Sequence, residues 1–393
     1  MIKIKGKYCS IDLFSGAGGL SLGFEMAGFK PQVGVEFNHE CVQTYKKNHP
    51  NTTIIEKDIR LVETDSITKI LEDSNFQQVD VITGGPPCEG FSLAGKRDVN
   101  DPRNKLFNEY IRFVEDLRPY VAVMENVSGI LNMKSDKNEK VGDLIKRSFN
   151  SIGYKVDHKV LLATDYGVPQ HRKRVFFIAT RLDTIIRFPK PTHFKITENQ
   201  AQLKGDLKPY VNVNDAICDL PPLKPGEEKN QYESPPLSGY QQWARENVMV
   251  NTLSNHKAVN HRHYMVERFK RIPPGKGIKE AWESIPEEYR PKKVYSARNR
   301  RLSLDRPSFT VTAHCLDEII HPIQDRGLTP REAARLQSFP DWYLFEGPHT
   351  MFHSDPRQDQ YEQIGDAVPP LLARAIAFEV LNMIKSCNTE TKG

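Results

Sequence analysis

The chain's strongest constraint is a repeated pattern: short apolar runs, each emptying into a loop of glycine, proline or an acid, most then followed by residues at helical spacing. Tyr8 to Phe14 (YCSIDLF) ends in SGAGG, and LSLGFEMAGF then carries Leu20, Phe24, Ala27 and Phe29 roughly at helical spacing. Pro31 to Glu36 reads as a second strand, His39 to Asn48 as a helix, and Thr53 to Ile55 as a third strand with Asp58 just beyond it. Val79 to Thr83 gives a fourth strand, Asn104 to Leu117 a helix, Tyr120 to Met124 a fifth strand, and Val141 to Ile152 another amphipathic helix. Strands alternating with helices predict an α/β fold with a doubly wound, mostly parallel sheet. YKVDHKVLLA and RVFFIATRL add two strands, joined by TDYGVPQHRK.

From about Pro189 the alternation gives way to proline-rich, polar stretches such as PKPTH, LPPLKPG and ESPPLSGY. With 393 residues, more than one domain is expected. The expected division is residues 1–189 for a catalytic and cofactor-binding domain, 190–358 for a smaller irregular domain, and 359–393 for a C-terminal segment, a loop and then an apolar helix, returning to the first. Near the end of the second segment, PREAARLQ reads as a short helix with proline in its first turn.

Composition excludes little but locates much. Charged residues at 27% and hydrophobic residues at 38% describe a globular chain, and no apolar run long enough to cross a bilayer is read from the sequence. The N-terminus lacks a signal-like apolar stretch. Six scattered cysteines without metal-type spacing suit a reducing cytoplasm and predict no metal site. Net charge is only +5, yet fourteen Lys/Arg against six Asp/Glu fall between Lys257 and Arg306, which is either a solvated basic face or a polyanion-binding surface.

The candidate chemistry sits at strand ends, where open α/β sheets bind their ligands. The loop Phe14-Ser15-Gly16-Ala17-Gly18-Gly19 lies between a strand and a helix, but Ser21 stands where a dinucleotide fingerprint needs its third glycine. An adenosyl ligand without a pyrophosphate therefore fits better. Glu36 is placed to accept from ribose hydroxyls and Asp58 from an adenine amino group; each is otherwise a cap or a turn acid. In VITGGPPCEGFS, two glycines and two prolines present Cys88 on a stiff loop, as an inert buried thiol or as a nucleophile whose thiolate must be generated. Glu125, following an apolar strand, has reason to carry a raised pKa and donate a proton. In QHRKR, Arg172 and Arg174 alternate on entering a strand, so both are expected on one face.

In this order the segments resemble the cytosine-5 DNA methyltransferases over nearly the whole chain. The resemblance is carried by IDLFSGAGGLSLGFEMAGF, VGVEFN, KDI, GGPPCEGFS, ENV, QHRKR, RLSLDRPSFTVTA, LTPREAARLQSFP and QIGDAVPPLLARAIA. It implies a Rossmann-like S-adenosyl-L-methionine-dependent fold with 190–358 as a target-recognition region, and release of S-adenosyl-L-homocysteine. It assigns Cys88, Glu125, Arg172 and Arg174 to catalysis. Phe14, Gly16, Gly18, Gly19, Glu36, Phe37, Asp58, Ile59 and Pro86 go to the cofactor, and Pro87, Asn126 and Gln170 to the base pocket. A cytosine flipped out of duplex DNA is attacked at C6 by Cys88 while Glu125 engages N3 and Arg174 the O2 atom. The resemblance also implies a monomer of the prokaryotic restriction-modification type. It would be cytoplasmic and nucleoid-associated through DNA, paired in function with a restriction endonuclease without a stable complex, and have no membrane partner.

One branch of the family acts on tRNA, which keeps RNA open as a substrate. A dinucleotide oxidoreductase, or a silent DNA-binding relative, explains the ordered motifs less well. Two positions depart from the family pattern: Glu89 where glutamine is common and Asp366 where asparagine is common. Neither is expected to make or break bonds, so Glu89→Gln should retain methyl transfer; a loss beyond about tenfold, about 1.4 kcal/mol, in a labelled-methyl assay would refute this.

Overall fold

The computed structural model describes residues 8–87, 106–134, 138–196, 205–249, 251–351, 355 and 357–390. Among these, seven strands form one sheet: β1 (Tyr8–Leu13), β2 (Phe29–Glu36), β3 (Thr53–Glu56), β4 (Val81–Gly84), β5 (Val121–Val127), β6 (Lys155–Leu162) and β7 (Lys173–Thr180). Their order is β3-β2-β1-β4-β5-β7-β6; β1 to β5 pair in parallel, and β7 runs antiparallel to both neighbours. This is the expected doubly wound, mostly parallel sheet. The helices α1 (Gly19–Met26), α2 (His39–Asn48), α3 (Thr64–Asp73), α4 (Leu106–Leu117) and α5 (Val141–Ser151) accompany it.

The continuous apolar runs are explained by burial on both faces. Every residue of β4, and every residue of β5 up to Asn126, is buried. Ile11 and Leu13 of β1, Val33 and Val35 of β2 and Met124 of β5 join Ile67 and Leu71 of α3, Tyr110, Phe113 and Val114 of α4, and Ile145 and Phe149 of α5 in one cluster. Each fully buried Phe or Ile there contributes about 1.5–3 kcal/mol. Strand β5 extends beyond Met124, so Glu125 and Asn126 lie within it rather than past its end. Helix α3 was not anticipated, although Ile67 and Leu71, its two buried residues, stand four apart.

The chain divides into two compact units. Among the described residues, one holds the sheet: those from 8 to 162, 173–190 and 370–390. The other holds 163–172 and 191–369, so the β6–β7 connection and residues 359–369 cluster with the irregular segment. In the sheet unit the C-terminal helix Pro370–Glu390 lies against α1 so closely that a Cβ on Gly23 would stand 2.4 Å from the Ala373 Cβ. Contrary to the sequence expectation, Gln360–Cys387 is long and apolar enough to cross a membrane by length and composition alone; most of its apolar window is buried within the protein, as in a core helix.

The second unit is held by buried ion pairs. The helix Pro330–Leu336 begins with proline behind Thr329, and Thr329 and Glu332 form a reciprocal cap; all seven helix residues are buried. Arg326 grips Glu332 through two bonds of 2.8 and 2.7 Å, and Arg335 holds both Asp219 and Asp341. Removing one partner of such a pair leaves an uncompensated buried charge.

Two buried histidines in this unit are spent as hydrogen-bond acceptors. His261 Nε2 accepts from the Gly327 N–H, and His321 Nδ1 accepts from the Ile323 and Gln324 N–H groups. Burial pulls their pKa values down to about 4 and about 3 respectively. The unfolded chain then binds more protons below about pH 6.5, so stability is complete above that value and falls as pH drops toward 4. Trp243, Trp282 and Trp342 all lie in this unit, so tryptophan fluorescence isolates it. Its urea midpoint should decline steadily from pH 7 to 5, and an unchanged midpoint would refute this account.

Candidate active site

The sheet order assembles a row of functional groups. Because β3, β2, β1, β4 and β5 are parallel neighbours, Asp58 after β3, Glu36 at the end of β2, the glycine loop after β1, Pro86 and Pro87 after β4, and Glu125 and Asn126 at the end of β5 lie consecutively along one edge. The chain runs from β1 to β2 and β3 on one side, and places β4 and β5 on the other. The glycine loop and the proline loop therefore flank the switch point, where such sheets bind ligands.

The glycine loop is held in a special conformation. Phe14 has φ +57°, costly for a bulky residue and a mark of a constrained site, and it is followed by Gly16 at +51° and Gly18 at +87°. A Cβ on Gly16 would meet nothing within 4 Å, so the conformation, rather than crowding by protein, demands glycine there. Gly18 caps α1 and Gly19 begins it, buried.

Glu36 binds this loop directly. Its carboxylate accepts from the Gly16 N–H at 2.8 Å, the Phe37 N–H at 2.9 Å and the Asn38 N–H at 2.8 Å. Burial pushes the carboxyl's pKa up, against the three backbone donors that favour the charged form. A carboxylate offers about four acceptor positions, so these bonds do not exhaust it. The next residue, Phe37, is 73% exposed, a flat apolar surface beside the carboxylate.

Asp58 is engaged otherwise than expected. It caps the short turn Ile59–Leu61, and both of its oxygens are held by the Arg60 guanidinium, which keeps its pKa below the usual value. Ile59 is buried, and its carbonyl accepts from Arg112 of α4, as does that of Val62. Arg112 thus fixes this turn, a role that no local spacing in the sequence announced.

At the β4 end, glycine is required by crowding. A Cβ on Gly84 would lie 2.6 Å from the Leu13 carbonyl oxygen and 2.9 Å from the Tyr110 ring, and one on Gly85 would lie 3.2 Å from Glu125 Oε2. Both glycines thus permit close approach of protein groups, among them the acid itself. Asn126 Nδ2 donates to the Pro86 carbonyl at 2.9 Å and so ties the proline loop to β5; Pro86 is buried and Pro87 exposed. Arg174 Nε lies 2.9 Å from Glu125 Oε1, across the β5–β7 pairing. Cys88 and Glu89 lie outside the described residues.

Arg172 and Gln170 belong to the second unit. Strand β7 begins at Lys173, so strand alternation does not put Arg172 on one face with Arg174. Arg172 is buried in the second unit, donating to the carbonyls of Val311, Gly365 and Ala367. Gln170 is fully buried there too; its amide donates to the Leu336 carbonyl and Gln337 Oε1 and accepts from the Val311 N–H. A Cβ on Gly365 would fall 2.1 Å from the Thr312 carbonyl carbon, so the glycine of GDAVP permits this packing. Asp366 beside it is exposed, with Oδ2 3.4 Å from Gln358 Nε2.

Fold and strand-edge groups together define a nucleoside-binding α/β enzyme class: constrained glycines, a carboxylate and an exposed aromatic ring suit an adenosyl ligand such as S-adenosylmethionine. The model for the C-5 cytosine-specific DNA methylase family matches residues 8–382, and the chain belongs to that family; it is a DNA (cytosine-5-)-methyltransferase. It is 40% identical over 396 residues to the Type II methyltransferase M.DdeI of Desulfomicrobium norvegicum, covering 97% of this chain and 92% of that one. It is 38% identical to the Type II methyltransferase M1.HphI of Haemophilus parahaemolyticus, covering 95% and 86%. A solved structure described as a DNA modification methyltransferase encoded within an E. coli prophage superposes with a TM-score of 0.73 at 28% identity, covering 96% of this chain and all of that one.

Gly85→Ala should displace the Glu125 carboxylate by a few tenths of an ångström. Methyl transfer is expected to fall about tenfold or more, with stability changed by less than about 0.5 kcal/mol. Unaltered activity in a purified, folded Gly85→Ala protein would show that this contact is unimportant.

Proposed function

We propose that the chain methylates C5 of a cytosine flipped out of a specific duplex DNA sequence, through a covalent bond between Cys88 and C6, and that this protects DNA from a cognate endonuclease in the cytoplasm. The observation that carries the reading is the order of groups along the sheet edge: adenosyl-type groups on β3, β2 and β1, and the proline loop and Glu125 on β4 and β5. Such an order would set the methyl donor beside the base to be methylated.

The residues divide the work. Glu36, with Phe37, Phe14 and the loop from Gly16 to Gly19, would hold the ribose and adenine, with Ile59 beside them; Asp58 reaches the adenine only by releasing Arg60. S-adenosyl-L-methionine supplies an electrophilic methyl group and leaves as S-adenosyl-L-homocysteine. The Cys88 thiolate adds to C6 while Glu125 donates a proton to N3, so the electron pair of the C5–C6 double bond becomes available at C5. After C5 takes the methyl group, a base removes the C5 proton, the C6–S bond breaks to restore the C5–C6 double bond and release the Cys88 thiolate, and N3 returns its proton to Glu125. Arg174, beside Glu125, is placed to bind O2 of the same base, and Asn126 keeps the proline loop against β5. Arg172 and Gln170 serve by holding the second unit together.

The test is transfer of labelled methyl groups from S-adenosylmethionine to unmethylated genomic DNA and, in parallel, to tRNA, followed by bisulfite sequencing. Label is expected in DNA at one sequence context and absent with Cys88→Ala. Label confined to tRNA would replace the substrate, and label persisting in Cys88→Ala would overturn the covalent mechanism.

A further inference from the structure

Strand β1 presents Ile11 and Leu13 to the cluster built with α3, α4 and α5, so alternation turns Asp12 to the opposite face, toward α1. There Asp12 is 2% exposed, and its two oxygens are divided between two structural elements. Ser21 Oγ, in the first turn of α1, donates to Oδ2 at 2.6 Å; Thr83 Oγ1, on β4, donates to Oδ1 at 2.8 Å. With the Ser21 proton given to Asp12, the 2.7 Å contact between Ser21 Oγ and Tyr45 Oη makes Tyr45 of α2 the donor to Ser21. Tyr45 is itself fully buried, beneath Gly34 of β2, where a Cβ would stand 3.2 Å from its ring.

This chain of hydroxyls gives Ser21 a purpose. It occupies the place of a fingerprint glycine, and its hydroxyl is turned inward to a carboxylate rather than outward to a ligand. The elements that meet at Asp12 are those whose ends carry the two halves of the site. Ser21 lies three residues beyond Gly18, at the foot of the glycine loop, and Asp12 itself is two residues before Phe14. Thr83 immediately precedes Gly84 and Gly85, and Cys88 follows five residues later in sequence.

We infer that Asp12 is a positioning residue that fixes the glycine loop after β1 and the proline loop after β4 (residues 85–87) relative to each other, through Ser21 on one oxygen and Thr83 on the other. The inference rests on the methyltransferase reading above. In a buried site a carboxylate with two hydroxyl donors has no water to substitute for either, so losing one bond frees one loop and leaves the other held.

The experiment uses the full chain with Ser21→Ala, Thr83→Val and Asp12→Asn. It measures S-adenosylhomocysteine affinity by calorimetry, and the single-turnover rate of methyl transfer to unmethylated genomic DNA at saturating cofactor. Ser21→Ala should weaken cofactor binding severalfold, more than it slows transfer, and Thr83→Val should do the reverse. Asp12→Asn should impair both by tenfold or more, and adding Ser21→Ala to it should weaken cofactor binding little further. If the single variants lower both constants equally, or only the melting temperature, Asp12 is merely structural and the inference fails; this holds even if Asp12→Asn does not fold. Wild-type protein that binds S-adenosylhomocysteine but methylates no DNA would instead overturn the functional reading, while the calorimetric arm still judges the Ser21 half.

Discussion

The parallel pairing of β1 with β2 on one side and β4 on the other is the constraint on which the site depends. Leu13 stands opposite Val35 and also opposite Gly84, so the strand ends are level across the switch point. A parallel ladder of this kind requires both faces to be covered, which accounts for the apolar runs and for the helices between them. It also brings together groups 20 to more than 100 residues apart in sequence. Glu36 can receive the Gly16 amide, and Gly85 can lie against Glu125, only because the ladder sets those strand ends side by side.

The same residue types do different work in the two units. In the sheet unit, buried or half-buried polar groups near the edge bind backbone in ways that shape loops: Glu36 the glycine loop, Asn126 the proline loop and half-buried Arg112 the turn after Asp58. In the second unit, buried arginines are scaffold. Arg331 is fully buried and bonds the carbonyls of Ser254, Pro340 and Tyr343, while Arg326 and Arg335 neutralise Glu332, Asp219 and Asp341. Arg172 belongs with these. Its guanidinium satisfies three carbonyls in segments more than a hundred residues away, which clasps the late motifs together.

How much of this was legible follows from the range of the forces involved. The strands and their ends were readable because burial on both faces writes an apolar run into the local sequence, and glycine or proline marks where each run stops. Thr329 and Glu332 stand in the spacing of a capping box, a local signal that reading PREAARLQ alone left out. By contrast, Gly84 and Gly85 announced only that a side chain was excluded; that the Leu13 carbonyl and Glu125 exclude it depends on β1 and β5. The positions of Arg172 and Gln170 hang on Val311, Leu336 and Gly365, which no local pattern connects to QHRKR. Asp58 showed a different limit: its partner Arg60 is two residues away, yet an acid beside an arginine reads equally as a ligand contact or as a turn.

The charge between Lys257 and Arg306 divides in the same way between cations that are spent and cations that are available. Of the fourteen cations between Lys257 and Arg306, Arg301 is buried on Asp325 and on the carbonyls of Ile272, His321, Gln324 and Phe269, and Arg268 is buried on the Tyr289 carbonyl. Lys270 and Arg271 share Glu267, and Lys257 faces Glu228. Arg262, Lys276, Lys279, Lys292 and Lys293 are exposed and, among the described residues, have no ion-pair partner. Lys292 and Lys293 line a cavity of about 560 Å³ together with Arg298, Tyr264 and Tyr295. A phosphate backbone competes for cations that hold no carboxylate, because exchanging one anion for another returns little free energy. The electrostatic footprint available to a polyanion is therefore a third or so of the sequence count, and two of its five members, Lys292 and Lys293, share a cavity with the exposed rings of Tyr264 and Tyr295.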